Sequence, residues 1–429
     1  MSESIGSASV KSGLFHFPSL GRKYGMIDLP SREFLAATAV FFAVTFNFLL
    51  AAFNINVMYL TRGDVILAEV LIVALSLGVC IRSGHRLLIQ WTIVAWLLAI
   101  IFITLSIFRG AIEAKYFRDI LTVPLFIALG ITYARGNIIK LFAVLQTVIL
   151  TVMVFEGAFP VLFGEVVNPL SYYINTRDFK VEDFWNTEST LFVSATRPQD
   201  RFFDLIDIHR LSSVFLEPVS LGNWCIVVTV FCIVMWWDLS RKMKYFFILT
   251  NIVILVGCDG RLATVTSGII VAISLIAKKL PRHSHFFYLP GAIFVAFLVV
   301  VLLNPPPGDT FLGRLEFSIR YLSGIDLDGL FGLSADLIRR SADSGISYII
   351  LTQSILGLAI FWCAICFLQA TGNRRAVLLV HGVAAYVALS LLISYSMFSI
   401  KTAAALWFLF GYVRVMSTVE SRQPKVLSR

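Results

Sequence analysis

The chain has 429 residues, of which 58% are hydrophobic and only 14% charged, and its mean hydropathy is +0.85. A soluble domain carries about 25% charged residues, so the composition excludes an ordinary soluble enzyme and predicts an all-α polytopic membrane protein. The formal net charge of +9 is then a topology signal, to be followed connection by connection, and not a sign of nucleic-acid binding.

Residues 1–33 are polar and carry Lys11, Arg22, Lys23 and Arg32. The apolar run follows too late for a signal peptide, which predicts a cytoplasmic tail. A spanning helix needs about 20 mostly apolar residues. Twelve stretches meet that description, at roughly 34–53, 65–82, 87–108, 119–134, 138–157, 219–237, 244–258, 262–278, 286–303, 346–368, 376–395 and 398–416. They form one transmembrane domain over 34–416, followed by a short cytoplasmic tail over 417–429. The seventh and eighth are separated only by Asp259-Gly260-Arg261, the pattern of a tight helical hairpin. Lys and Arg gather on alternate connections: Arg82 and Arg86, Arg135 and Lys140, Arg241 to Lys244, Lys278 to Arg282, Arg374 and Arg375, and the tail from Arg414. By the positive-inside rule these are cytoplasmic, which puts both termini inside. Lys401, near an outer helix end, is expected to snorkel.

Two long connections fall on the outer face. The first, about 158–218, interleaves Tyr172, Tyr173, Phe179, Phe184, Trp185, Phe192, Phe202 and Phe203 with charges. That pattern suits a partly buried, interfacial segment and also suits stacking on sugar faces. The second, about 304–345, opens with Pro305-Pro306-Pro307-Gly308, and its Leu and Ile residues over 322–338 predict a short amphipathic helix. Neither cysteine nor histidine spacing describes a metal site. All six cysteines lie in or at the ends of apolar runs, and the six histidines do not cluster on the outer face. His381, inside a predicted span, suits a hydrogen-bonded structural role, although an ionisable group there is also a functional candidate.

Helices starting near Pro218, Leu262 and Ser344 all run inward, so all three turn their N-termini to the outer face. Glu217-Pro218 marks one start, because proline is tolerated at the first helical position. Each start has an ionisable residue just ahead of it: Arg210 with Glu217, Arg261, and Asp343. Unpaired helix N–H groups beside fixed cations favour an anion, and the planar guanidinium suits phosphate. Each residue also fits a plainer role. Arg261 suits snorkelling, Arg210 suits pairing with Asp204 or Asp207, and Asp343 suits capping its helix.

Arg210-x-x-Ser213-x-Phe215-x-Glu217-Pro218 resembles the Arg-x-x-Gly-x-Phe-x-Glu/Asn-Pro element of the bacterial O-antigen ligase and polymerase superfamily. Gly260-Arg261 is similar to its Ser-Arg element. Asp343-Ser344 followed by Tyr348, Ser354 and Gly357 resembles its His/Asp-Asn element ahead of a helix with Gly-x-x-Gly. The likeness runs from about residue 34 to 416 and includes the two long outer loops. Ser213 and Ser354 stand where glycine is usual, and Gly260 where serine is common. Ligases tend to carry histidine at the position of Asp343, so the acid leans toward the polymerase branch, exopolysaccharide polymerases included.

The resemblance implies an inverting, metal-independent glycosyltransferase of GT-C type, with no cofactor, in the bacterial inner membrane. Its donor would be a glycan on undecaprenyl diphosphate and its acceptor a lipid-linked repeat unit. Membrane lipid, a flippase and the chain-length or export proteins of a polysaccharide assembly system would be its partners, and nucleic acid would not. Arg210 and Arg261 would bind the pyrophosphate, Asp343 or Glu217 would take the proton from the attacking hydroxyl, and Arg339 and Arg340 would assist. Two alternatives stay open: a glycan ligase of the same superfamily, and a non-enzymatic transporter of lipid-linked glycan, which would favour broken helices and charges near the bilayer midplane.

Overall fold

The computed structural model describes residues 31–177, 180, 189–191, 195–196, 202–203, 209–306, 308, 310–338, 341, 344–369 and 372–422. Every described regular element is helical. In a lipid environment no water is present to bond exposed amides, so a spanning segment must satisfy its backbone internally. The apolar runs follow that rule as α1 (Arg32–Asn56), α2 (Arg62–Ile81), α3 (Leu88–Arg109), α4 (Ala114–Thr132) and α5 (Ile138–Ala158), which is followed by two short helices, α6 (Pro160–Val166) and α7 (Pro169–Arg177). Then come α8 (Pro218–Met235), α9 (Arg241–Cys258), α10 (Arg261–Ile276) and α11 (Tyr288–Leu303). The second long connection holds α12 (Phe311–Ser323), α13 (Leu327–Leu330) and α14 (Ala335–Ile338), and the chain continues through α15 (Gly345–Phe367), α16 (Arg374–Leu391) and α17 (Ile400–Arg422).

Each stretch predicted as a span coincides with one of these helices. Eight helices among the described residues are long and apolar enough to cross a membrane, which makes this a membrane protein. The remaining four are α4, α9, α10 and α17. Lys115, Arg118 and Asp119 open α4, Arg241, Lys242 and Lys244 open α9, and α10 has only 16 residues, whereas the 16 of α11 are extended to 20 by the 3-10 turn Ser284–Phe287 ahead of them. The hydrophobic surface agrees with a lipid-facing rim. Ile107 and Phe108 on α3, Leu275 on α10 and Leu302 on α11 are all large and exposed, whereas α8, α15, α16 and α17 are buried along most of their length.

The centre of the bundle is the pair α4 and α17. A Cβ on Gly130 would lie 2.0 Å from the Phe408 carbonyl oxygen, and one on Gly411 1.9 Å from that of Ile127. The two helices therefore meet backbone to backbone, which only glycine allows. Around them, Phe142, Phe231 and Trp224 stack in series between α5 and α8.

Three expectations change. The amphipathic helix of the second long connection is α12, which starts at Phe311 and ends at Ser323. Thr310 caps it by accepting from Gly313 N, and beyond Gly324 the segment expected to be helical holds only the single turns α13 and α14. In the first connection, Tyr172 and Tyr173 are fully rather than partly buried, and Tyr172 Oη donates to Asn47 Oδ1 at 2.9 Å. Phe179, Phe184, Trp185 and Phe192 lie outside the described residues. Lys401 does not snorkel: it is 3% exposed, with Nζ 2.9 Å from Glu217 Oε2 and 3.1 Å from the Phe215 carbonyl oxygen. A buried carboxylate holds it more strongly than a distant headgroup would. His381 is buried and hydrogen-bonded, with Nδ1 2.7 Å from Tyr288 Oη.

α15 is broken. Ser354 sits at φ 64°, ψ 169°, a region that side-chain-bearing residues almost never occupy. Arg109, at the end of α3, closes the gap: Nη2 donates to the Leu351 carbonyl at 2.6 Å and Nε to that of Gly332 at 2.6 Å. The break is thereby satisfied by protein, as a membrane interior requires.

Candidate anion site

The α9–α10 hairpin builds the site. α9 ends at Cys258, and Asp259 turns the chain in the left-handed region at φ 50°. Gly260 then caps α10, so Arg261 is the first helical residue. The first N–H groups of a helix have no intrahelical partner and carry its positive end. Gly222 of α8 approaches Gly260 closely: a Cβ on Gly222 would lie 3.8 Å from the Gly260 Cα. That brings the start of α8 against the start of α10.

The segment 209–217 crosses this hairpin. Leu211 N donates to the Gly257 carbonyl at 3.0 Å. Arg210 folds over the C-terminus of α9, with Nε 3.4 Å from the Cys258 carbonyl oxygen, Nη2 3.3 Å from that of Asp259, and Nε 3.8 Å from Asp259 Oδ2. Burial lowers the Arg210 guanidinium below its ordinary value, and the Asp259 carboxylate opposes that shift. Two features shape the turn after Arg210. Ser213 adopts φ 51°, and the fully buried Glu156 of α5 accepts from Ser212 N at 2.8 Å, Ser213 N at 2.6 Å and Ser212 Oγ at 2.8 Å.

Arg210 and Arg261 line one open cleft of about 830 Å³, counting the space at its mouth. Arg314 of α12 lines it too, together with Asn223 of α8, Asp259, Phe311 and Ser394. Among the described residues, Asp259 is the one carboxylate on that wall, which carries arginines from three separate elements. Asn223 is fixed in place: its Nδ2 donates to Ser396 Oγ at 2.9 Å, and its Oδ1 accepts from Tyr386 Oη at 3.2 Å.

Glu217 points elsewhere. Its carboxylate receives Tyr173 Oη at 3.0 Å, Arg177 Nη1 at 2.9 Å, Ser220 Oγ at 2.9 Å and Lys401 Nζ at 2.9 Å. Burial alone would raise its pKa, but Lys401 and then Arg177 outweigh burial and hold it at about 2. Asp343, Arg339 and Arg340 lie outside the described residues. Ser344 is described: it precedes α15 and its Oγ accepts from Ser347 N.

Of the residues singled out from the sequence, the structure brings Arg210 and Arg261 together and places Glu217 in a separate ion cluster. Sequence reasoning missed Arg314, Asp259 and Glu156. For Arg314 the one signal is the apolar spacing Phe311, Leu315, Ile319, which marks an amphipathic helix but not where that helix lies. Glu156 has a weaker signal, an acid one turn from the end of an otherwise apolar helix. Comparison of the chain with protein-family models, curated proteins and solved structures gives no match to any of them.

Proposed function

We propose that the protein is a polysaccharide polymerase, a membrane glycosyltransferase that moves a growing glycan from undecaprenyl diphosphate onto a lipid-linked repeat unit. The convergence of Arg210, Arg261 and Arg314 on one cleft at the N-terminus of α10 is the observation that carries this. In the transfer, the acceptor hydroxyl oxygen bonds to the anomeric carbon with inversion while the bond from that carbon to the phosphate oxygen breaks. The leaving diphosphate gains charge on the bridging oxygen, and fixed guanidinium groups stabilise that charge without reorganising. The hydroxyl proton goes to a carboxylate. Glu217 is poorly suited, because four donors hold its oxygens and its pKa of about 2 is far below that of an effective base. The base role therefore goes to Asp343.

Twelve spans in a GT-C-like arrangement, both termini cytoplasmic and the cleft on the outer face of the bacterial inner membrane belong to the same proposal. Backbone conformation supports the resemblance behind it. Ser213 and Ser354, which stand where that superfamily uses glycine, both hold positive φ, the conformation for which glycine is the default residue.

A transporter of lipid-linked glycan has two observations in its favour: the break in α15 and the ion-paired group Glu69, Arg118 and Asp119 resemble transporter features. However, Arg109 fills the break and Arg118 pairs both acids, so neither feature leaves a vacant path. The test is reconstitution with lipid-linked repeat units from the host, with products separated on a gel. A polymerase gives a ladder of multimers that Arg210→Ala abolishes. Donor crossing the vesicle membrane with no new glycosidic bond would establish the transporter instead.

A further inference from the structure

We infer that Glu156 is the positioning residue for Arg210, acting through the left-handed turn at Ser213. This rests on the proposal that Arg210 binds a diphosphate. Glu156 reaches no part of the cleft, yet it is a fully buried carboxylate near the end of an apolar helix, a placement that is costly unless the group is well paired. Its partners are all in one place. Oε2 receives the backbone N–H groups of Ser212 and Ser213, and Oε1 receives Ser212 Oγ, while His209 Nε2 stands 3.4 Å from Oε1. Two successive N–H groups can aim at one oxygen only when the chain curls around it. The φ of 51° at Ser213 is part of that curl.

The turn has a reason to need help. A residue with a Cβ resists the left-handed region, and Ser213 is held there by three neighbours. Its N–H goes to Glu156, its Oγ donates to the Ile149 carbonyl at 2.6 Å, and Leu216 N closes the turn onto the Ser213 carbonyl at 3.2 Å. Arg210 lies three residues ahead of the turn; Leu211 N, between the two, donates to the Gly257 carbonyl at 3.0 Å, and Arg210 N itself donates to the Ala195 carbonyl at 3.3 Å. With the turn formed, the guanidinium rests over the end of α9 and into the cleft. With the turn relaxed to an ordinary conformation, Ser212 and Ser213 reverse their peptide directions and the Arg210 backbone moves with them. Glu156 is thus a backbone acceptor whose effect is felt at a side chain it does not touch.

The experiment measures binding of farnesyl diphosphate to the full-length protein in nanodiscs, with farnesyl monophosphate as the comparison. Arg210→Ala reports on the reading beneath this one: if it leaves diphosphate binding unchanged, that reading fails regardless of Glu156. Glu156→Met keeps the volume and removes the acceptor, and is expected to weaken diphosphate binding at least tenfold. Glu156→Gln keeps an oxygen for the two N–H groups and an amide donor for Ser212 Oγ, so it is expected to bind within about threefold of wild type. Adding Ser213→Gly to Glu156→Met removes the Cβ penalty and is expected to recover most of the lost affinity. A merely structural role for Glu156 would lower stability without this order of affinities. Should Glu156→Met fail to fold, Ser213→Val tests the same turn, because a branched side chain resists positive φ, and it too should bind weakly. Wild-type binding by folded Glu156→Met, equal loss in Glu156→Met and Glu156→Gln, or wild-type binding by Ser213→Val would each overturn the inference.

Discussion

Arg210, Arg261 and Arg314 reach one cleft from three separate elements. Arg210 already caps three acceptors at the end of α9, so binding a diphosphate requires it to exchange protein oxygens for phosphate oxygens. Removing any of the three cations should cost about 3 kcal/mol of transition-state stabilisation, on the order of 100-fold in rate, read as single-turnover glycan transfer. Ser354 gives a different kind of prediction. Its φ of 64° with ψ of 169° belongs to a region costing about 1–3 kcal/mol for a residue with a Cβ. Its Oγ accepts one long bond among the described residues, from Gly357 N at 3.4 Å. Ser354→Gly should therefore raise stability by about 1 kcal/mol after the extra chain entropy of glycine, seen as a higher Tm in detergent. Ser213→Gly should be close to neutral, because relief of the same strain is offset by loss of the bond to the Ile149 carbonyl.

At the scale of elements, the α4–α17 contact and the broken α15 respond to single changes. Gly411→Leu would drive its side chain into the Ile127 carbonyl and should cost about 3 kcal/mol or more, measured as loss of monodisperse protein and a lower Tm. Arg109→Met would leave the Leu351 and Gly332 carbonyls without their donor, at a cost of about 2–3 kcal/mol. Existence of the helices was legible in the chain because a 20-residue apolar run has few other solutions in lipid. The Asp259-Gly260-Arg261 hairpin was legible for the same reason, since two apolar runs with three polar residues between them can only turn back. Which helices sit at the centre was not legible. Gly130 and Gly411 mark the closest packing, but glycines are scattered through other helices as well. The break at Ser354 was hidden too, since serine carries no sign of positive φ. The cleft was half legible: helix starts and motif spacing led to Arg210 and Arg261, while Arg314 depends on how α12 lies across the bundle, which no local pattern encodes.

For the molecule as a whole, charge is sorted into separate ion-paired groups. Glu217 with Lys401 and Arg177 ties α7, α8 and α17 together, and Glu69 with Arg118 and Asp119 ties α2 to α4. Neither group lines the arginine cleft. The first group sets an acid limit on stability. Although burial opposes it, Lys401 and Arg177 depress the Glu217 pKa from an ordinary 4.5 to about 2. A depressed acid contributes stability that is fully present above its unfolded value and lost as pH falls through its folded value. That contribution, on the order of 3 kcal/mol, should be complete above about pH 4.5 and should fade as pH drops toward 2, seen as a falling Tm. Glu217→Gln should flatten that fall and lower stability at neutral pH by about 3 kcal/mol or more, because Lys401 would stay buried without its partner. Pairing it with Lys401→Met should restore part of the loss.

The most direct measurement is the release of undecaprenyl diphosphate from a glycan-loaded donor in a single turnover, with purified protein, lipid-linked repeat unit as acceptor, and the variants Arg210→Ala, Arg261→Ala and Arg314→Ala. The account predicts that wild type releases the carrier as each new glycosidic bond forms, and that each folded variant does so about 100-fold more slowly or worse. Carrier release and product ladders unchanged in all three variants would contradict it.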